Sequence, residues 1–303
     1  MKFKTVLFSG ALALSSVTLV SAQSNVSVGV RGGLTIPGLT GGAGDPVSEG
    51  YSTTTRMGAG IFADIKISKV FSIQPMLEYA QEGAIRNGMQ ALVATGSDPL
   101  LTATFQTALQ PLSQLLPSGI NISAPEYIYA DANRTAKMDY LMLPVLAKFG
   151  WNLGESSPWR VYVSAGPYAA LLLNAKDAVS MNGTNVYADK SKSSLIQLPN
   201  EVMSMIPESM LPTVTGAIDQ LSGGIYQNLN KTRDIKNQLH PLNWGLEGNA
   251  GLQYQFERNK IFLEAGGNYG MMSIQKSTGN DSYLNGKNHI GAGTVMIGYA
   301  YEL

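Results

Sequence analysis

The feature that most constrains the fold is a strict alternation in two neighbouring segments, Met138–Gly150 and Trp159–Leu171. In each segment the odd-numbered positions are mostly apolar, and the even-numbered positions of the second are mostly polar or small. Side chains alternate between the two faces of a strand, so the pair predicts a hairpin with one apolar face. A strand of about 10 residues crosses a bilayer when it is tilted.

Six further segments alternate in the same way, which brings the predicted strands to eight. In chain order they are Val26–Leu34, Met57–Ile67, Val70–Ala80, Trp244–Phe256, Ile261–Ser273 and Asn288–Leu303.

The connections between these strands alternate between long and short. Bacterial outer-membrane barrels have short periplasmic turns and longer external loops, and a soluble sandwich has no reason to sort its loops in this way. The sequence therefore predicts an all-β fold, an eight-stranded antiparallel up-and-down transmembrane barrel of a Gram-negative outer membrane. Both termini are expected in the periplasm, and the longest external loops are Gln81–Lys137 and Leu172–Asn243.

Composition alone leaves two classes open. Charged residues make up 14% of the chain, and no segment after the N-terminal region reaches the roughly 18 apolar residues of a membrane helix. A soluble, secreted all-β domain and an outer-membrane barrel both fit. The aromatic residues favour the barrel, because Trp151, Trp159 and Trp244 fall on the predicted lipid face near strand ends, where interfacial girdles are expected.

The first 22 residues predict an export signal. Lys2 and Lys4 precede an apolar run, and Val20-Ser21-Ala22 fits a small-residue cleavage site. Residues 23–303 would then form the barrel. The chain has no cysteine and carries equal numbers of basic and acidic residues, so neither disulfides nor nucleic-acid binding is expected.

Two stretches within the long loops have apolar residues at near-helical spacing, Pro99–Leu116 and Glu201–Leu229. Prolines interrupt both, so short or kinked helices are expected, giving partly helical extracellular insertions. The two stretches could pack on each other as a cap, or they could form a surface that binds a partner or lipid.

The interior face of the predicted barrel carries charged residues. A proton or ion path is one interpretation, and a charge network that fills a narrow lumen is the other. The network is favoured, because eight strands enclose only side chains. The residues are Arg31, Asp64, Lys66, Glu78, Lys148, Arg160, Glu247 and Glu264.

Candidates for catalysis are few. His289 and Ser273 share the lipid-facing parity near the external rim and could serve a lipid hydrolase, which is the alternative function. No cluster has metal-ligand spacing, and the Gly-rich Gly38–Gly44 does not connect a strand to a helix, as a phosphate-binding loop would. We therefore expect no catalytic, cofactor-binding or metal-binding residues, no cofactor and no enzymatic activity.

Three strands resemble a known family. Tyr140–Phe149 (YLMLPVLAKF), Ala165–Tyr168 (AGPY) and Phe262–Gly270 (FLEAGGNYG) are similar to strand motifs of the PorT-like outer-membrane β-barrel family of Bacteroidota, and Val28–Leu34 also fits its opening strand. The resemblance covers the strands and not the long loops.

The resemblance implies a barrel in the cell outer membrane, and one branch of the family is linked to secretion and gliding. With a plugged lumen, a structural or binding role is expected, as a surface receptor, an adhesin-like protein or an assembly or secretion-apparatus partner. The expected partners are outer-membrane lipid and lipopolysaccharide, the barrel-assembly machinery, and a surface protein that contacts the external loops.

Overall fold

The computed structural model describes residues 25–42, 44–93, 110, 114, 127–222, 230–276 and 287–303. The elements with bounds inside these ranges are nine strands, two α-helices and a short 3-10 helix at Lys236–Gln238. In order they are β1 (Val26–Gly41), β2 (Arg56–Lys66), β3 (Phe71–Val93), β4 (Tyr127–Asn152), β5 (Trp159–Tyr187), α1 (Asn200–Met205), α2 (Leu211–Ser222), β6 (Lys231–Asp234), β7 (Leu242–Phe256), β8 (Asn259–Gly270) and β9 (Asn288–Glu302).

Eight of the strands form a closed antiparallel ring. Each pairs with its neighbours along the chain, β5 pairs directly with β7, and β9 returns to β1. The closing pair runs from Ser27 opposite Glu302 to Gly41 opposite Asn288. The short β6 lies outside the ring and pairs only with β5. The eight-stranded up-and-down barrel predicted from the sequence is confirmed.

The two ends of the barrel differ. Three short turns lie at one end, between β2 and β3, β4 and β5, and β7 and β8, and both chain termini of the ring are there as well. We call this the short-turn end. The other four connections lie at the opposite end, the long-loop end.

The outer face of the ring is apolar and is bordered by aromatic rings. At the short-turn end the Trp159 ring lies 4.8 Å from Tyr254. At the long-loop end Trp244 and Tyr269 face outward. The predicted exposure of the three tryptophans is confirmed: Trp151, Trp159 and Trp244 are 49%, 43% and 50% exposed. These positions suit the two interfaces of a bilayer.

Four strands are longer than predicted, and the first of them, β1, continues to Gly41 instead of ending at Leu34. β3 continues to Val93, β4 begins at Tyr127, and β5 reaches Tyr187 although its pairing with β7 ends at Leu171. Residues at the ends of the predicted loops Gln81–Lys137 and Leu172–Asn243 therefore belong to strands, and the predicted bounds of both loops were wrong. We call residues 82–93, 127–138, 173–187 and β6 the barrel extension. The side chains of β3 and β4 keep the alternation of the ring. β5 has a register shift opposite Asp139 and Tyr140, and beyond it the inward residues are odd-numbered, such as Ala175 and Asp177.

The predicted helices are confirmed in one of the two loops. Within Glu201–Leu229 the structure has α1 and α2, and residues 223–229 lie outside the described part. Ile206, Val214 and Ile218 form a small buried cluster between these helices and the chain before them. Apart from residues 110 and 114, the stretch Pro99–Leu116 lies outside the described residues, as does the predicted export signal.

Among the described residues, no helix has the length and apolar character needed to span a membrane.

The outward parity of β5 gives the first prediction. Val163 is exposed on the apolar face, in the part of the strand that pairs with β7 inside the ring. Val163→Lys would place a charge in the lipid, so we expect it to lower the free energy of unfolding by about 2–4 kcal/mol. Urea titration of the refolded protein in vesicles measures this, with Val163→Leu as the matched control. Equal midpoints for the two variants would contradict the assignment of the lipid-facing side.

Candidate functional site

The lumen is filled by layers of side chains, and β3 passes through them in order. From the short-turn end its inward residues are Ser72 and Gln74, then Met76, then Glu78, then Ala80, Glu82 and Ala84. Met76 belongs to an aromatic layer, Glu78 to a charge cluster, and the alanines to an apolar cluster.

Arg31 is the centre of the charge cluster. Its guanidinium contacts the carboxylates of Glu78, Glu247 and Glu264, with Glu264 at 2.6 Å and Glu247 at 2.7 Å. The Tyr162 hydroxyl donates to Glu264 at 2.8 Å. All four charged side chains are buried, so the guanidinium of Arg31 is what makes three closely spaced carboxylates tolerable inside the barrel.

A second group of charges closes the short-turn end. Lys148 Nζ lies 3.1 Å from Asp64 Oδ2. Glu302 accepts from Lys66 at 3.0 Å and from Lys260 at 2.9 Å, which ties the last strand to β2 and β8.

Inward glycines make room for the aromatic layer between these charge groups. A Cβ atom on Gly298 would lie 2.0 Å from the Phe262 ring, and one on Gly251 would lie 2.3 Å from the Tyr162 ring. The rings of Phe62 and Phe262 meet edge to face at 5.6 Å. Large rings therefore occupy the space that missing side chains leave in a narrow barrel.

The long-loop end of the lumen is closed by apolar side chains. Tyr140, Tyr168 and Leu172 from the ring contact Ile235, Leu239 and Ile274 in one buried cluster, to which other ring residues contribute. The last three residues come from the connections, so the chain itself covers this mouth of the barrel.

The inward face of the barrel extension is held by buried ionic contacts. Arg134 forms a two-point ion pair with Asp177 at 2.8 and 2.9 Å, which joins β4 to β5. Burial disfavours the charge of Arg134, but Asp177 outweighs this and keeps the pKa of Arg134 above its ordinary value. Arg86 on β3 donates to the carbonyl oxygens of Val47 and Pro46 at 3.0 and 2.9 Å and so fixes the β1–β2 connection on the extension.

Two residues of that connection have shifted pKa values. Burial raises the pKa of the Tyr51 hydroxyl, which stays neutral beside the Arg86 side chain. At the surface, Lys190 donates to Glu49 at 2.9 Å and lowers the pKa of that carboxyl.

The structure buries six of the eight predicted interior charges inside the barrel. Arg31, Glu78, Glu247 and Glu264 come together, and Asp64 pairs with Lys148. Lys66 and Arg160 lie partly exposed at the short-turn end, where Arg160 donates to the carbonyl oxygen of Lys69 at 3.0 Å.

The predicted interior charges did not include Lys260, Glu302, Glu82, Arg86, Arg134 or Asp177. The last four of these lie in the predicted loops. For Glu82, Arg86 and Arg134 the alternating pattern of β3 and β4 was the available signal, whereas Asp177 faces inward only because of the register shift in β5.

The structure does not bring His289 and Ser273 into a catalytic pair. His289 Nδ1 lies 3.0 Å from the carbonyl oxygen of Gly270, and the Ser273 hydroxyl donates to Gln275 at 3.0 Å. Within the described part of the chain no hydrogen bond joins the two side chains. The described residues also contain no group of three His, Asp or Glu side chains placed to hold a metal ion.

An apolar, aromatic-bordered outer face around a polar, filled lumen defines an integral β-barrel membrane protein. The chain belongs to the family described as "Outer membrane protein beta-barrel domain", whose model matches residues 21–276. No curated protein matches the chain.

Several solved structures are similar to this chain at low identity. Ail, the attachment invasion locus protein of Yersinia pestis, is 11% identical, with 91% of this chain and 97% of Ail covered and a TM-score of 0.33. Neisserial surface protein A is 10% identical, with 92% and 97% covered and a TM-score of 0.32. OprG of Pseudomonas aeruginosa is 10% identical, with 91% and 94% covered and a TM-score of 0.33.

The Arg31 cluster gives the second prediction. Arg31→Met leaves three buried carboxylates without their cation, so we expect a loss of about 3–5 kcal/mol in the free energy of unfolding. Lys66→Met is the control. Lys66 is partly exposed, and without it Glu302 still has its ion pair with Lys260. This substitution should cost less than about 1 kcal/mol. Urea unfolding in vesicles measures both, and equal losses would show that Arg31 does not hold the cluster together.

The filled lumen gives the third prediction. Successive layers of side chains cross the interior, and eight strands leave no room for a water channel. Purified protein in planar bilayers should therefore show no large, stable single-channel currents. Porin-like steps that persist in several preparations would contradict the closed lumen.

Proposed function

We propose that this protein is a non-enzymatic binding protein of the outer membrane that takes up an extended segment of another surface protein on its barrel extension. Receptor, adhesin-like and assembly or secretion-apparatus roles are all forms of this function. The strand motifs resemble those of the PorT-like family of Bacteroidota. One branch of that family is linked to secretion and gliding, which agrees with the proposal.

In the proposed orientation the long-loop end lies outside the cell and both termini lie in the periplasm. Short turns face the periplasm in bacterial outer-membrane barrels, and the three short turns here share one end with the termini. The barrel extension would then project from the cell surface.

Contacts between its strands make the barrel extension rigid. The buried Arg134–Asp177 pair joins two of its strands, and Arg86 holds the β1–β2 connection against a third. The outward Asn133 and Asn182 side chains add a hydrogen bond of 2.9 Å across β4 and β5. A rigid surface loses little conformational entropy on binding, which favours affinity.

The observation that carries the proposal is an edge of β3. Ser52 and Ile85 exchange two backbone hydrogen bonds of 2.7 and 3.0 Å on the side of β3 that faces away from β4. By the alternation of an antiparallel ladder, the N–H and C=O groups of Asn87 point to the same side. In the described residues no strand pairs with this side beyond Ile85. Asn87 is exposed, and an unpaired edge accepts an added strand.

Cross-linking in living cells tests this function. A photo-reactive amino acid at position 133, on the exposed face beside the edge, should capture a surface protein, and the same group at position 155 in a short turn should not. Asn87→Pro removes the edge N–H, and one net hydrogen bond contributes about 1 kcal/mol, so capture should fall roughly fivefold.

Asn87→Ala is the matched control, because it removes the side chain and keeps the N–H donor. Both variants should keep the heat-modifiable gel mobility of a closed barrel, since proline is tolerated at an edge position. Equal capture by the proline and alanine variants would rule out strand addition at β3.

A further inference from the structure

Two lysines lie directly opposite each other on the outward face of the barrel extension. Lys137 on β4 and Lys176 on β5 are register partners, and both are exposed. Opposed residues on neighbouring strands have their Cβ atoms roughly 5 Å apart, and like charges in that position repel. Neither lysine forms an ion pair among the described residues. Such a pair is stabilised when an anion binds between the two ammonium groups.

The height of the pair relative to the membrane indicates which anion binds. Leu171 and Leu173 are exposed on the outward face at the end of the ring, and the Asp139–Asn174 pair follows. Lys137 and Lys176 come next, about two residues farther along each strand. Lysine stems of this length reach back along a tilted strand toward the bilayer. Their ammonium groups can therefore lie at the level of the lipid headgroups.

The neighbouring charges leave this pair with an excess of positive charge. Lys236 Nζ donates to the carbonyl oxygen of Leu173 at 2.7 Å, which adds a third cation nearby. Asp139 accepts from Asn174 at 3.0 Å. Asp234 lies opposite Lys176 and accepts from the backbone N–H of Lys236 at 2.9 Å. Both carboxylates already accept hydrogen bonds from neighbouring groups.

We propose that Lys137 and Lys176 form a binding site for the phosphate of a membrane lipid headgroup. The lipid chains would lie along the apolar outer face below, next to Leu171 and Leu173. This site does not depend on the binding of a protein at the β3 edge. With the long-loop end outside the cell, the lipid would belong to the outer leaflet.

Native mass spectrometry of the full chain in a neutral detergent tests the site, with dioleoyl phosphatidic acid as the probe. A lysine near an anionic lipid contributes about one kcal/mol, so the Kd should rise about fivefold for Lys137→Gln or Lys176→Gln and about thirtyfold for both. Dioleoyl phosphatidylcholine should bind no better to the wild type than to the double variant. Unchanged phosphatidic acid binding in the double variant would overturn the proposal.

Two controls distinguish a specific lipid site from general charge attraction and from a free phosphate site. Lys69→Gln removes an exposed lysine from a short turn at the opposite end and should leave the Kd unchanged; an equal loss would indicate unspecific charge attraction and would refute the site. Inorganic phosphate alone should not displace the lipid at matched concentration. If it does, the pair is a free phosphate site and the lipid assignment is wrong.

A charge-reversed variant separates binding from folding. Lys137→Glu places opposite charges across from each other, which stabilises the strand pair. It should keep or raise the temperature of heat-modified gel mobility while losing phosphatidic acid binding. Retained lipid binding in Lys137→Glu would overturn the proposal.

Discussion

The rest of the structure depends on closing the sheet. In lipid, every backbone N–H and C=O group needs a partner within the protein, because no water is available to bond to it. The pairing of β9 with β1 meets this requirement by removing the last two edges from the ring. Closure also fixes the parity of each strand, since one face then meets lipid and the other meets the lumen.

Closure at eight strands makes the interior narrow, and the inward residues follow from that. Glycines stand where the Phe262 and Tyr162 rings need space, and Arg31 forms ion pairs with three carboxylates at close range. The same network ties β1 to β3, β7 and β8. Because these contacts cross the barrel, each one stabilises strands that are far apart in the chain.

Beyond the ring the requirement for closure ends, and the sheet changes its role. β3 and β4 keep their alternation and β5 resumes it after a register shift, but the inward face now packs on the connections and on the Arg134–Asp177 pair instead of filling a lumen. The extension can also leave an edge of β3 unpaired, because water satisfies backbone groups there. The proposed binding surface thus lies in the part of the protein that is free of the membrane constraint.

Sequence alone determined the barrel, because alternation with period two, short turns and interfacial aromatics are local signals that can be read without knowing any contact. It also identified the inward charges of the ring, including Arg31 and Glu78. Only the tertiary structure decided which of these charges meet, because Arg31 and its partners are far apart in the chain and are joined by ring closure. The strand ends in Gln81–Lys137 and Leu172–Asn243 were missed because their outward residues, such as Asn133 and Lys137, are polar and lack the apolar signal of a lipid-facing strand. Only pairing with a neighbouring strand shows that the sheet continues there.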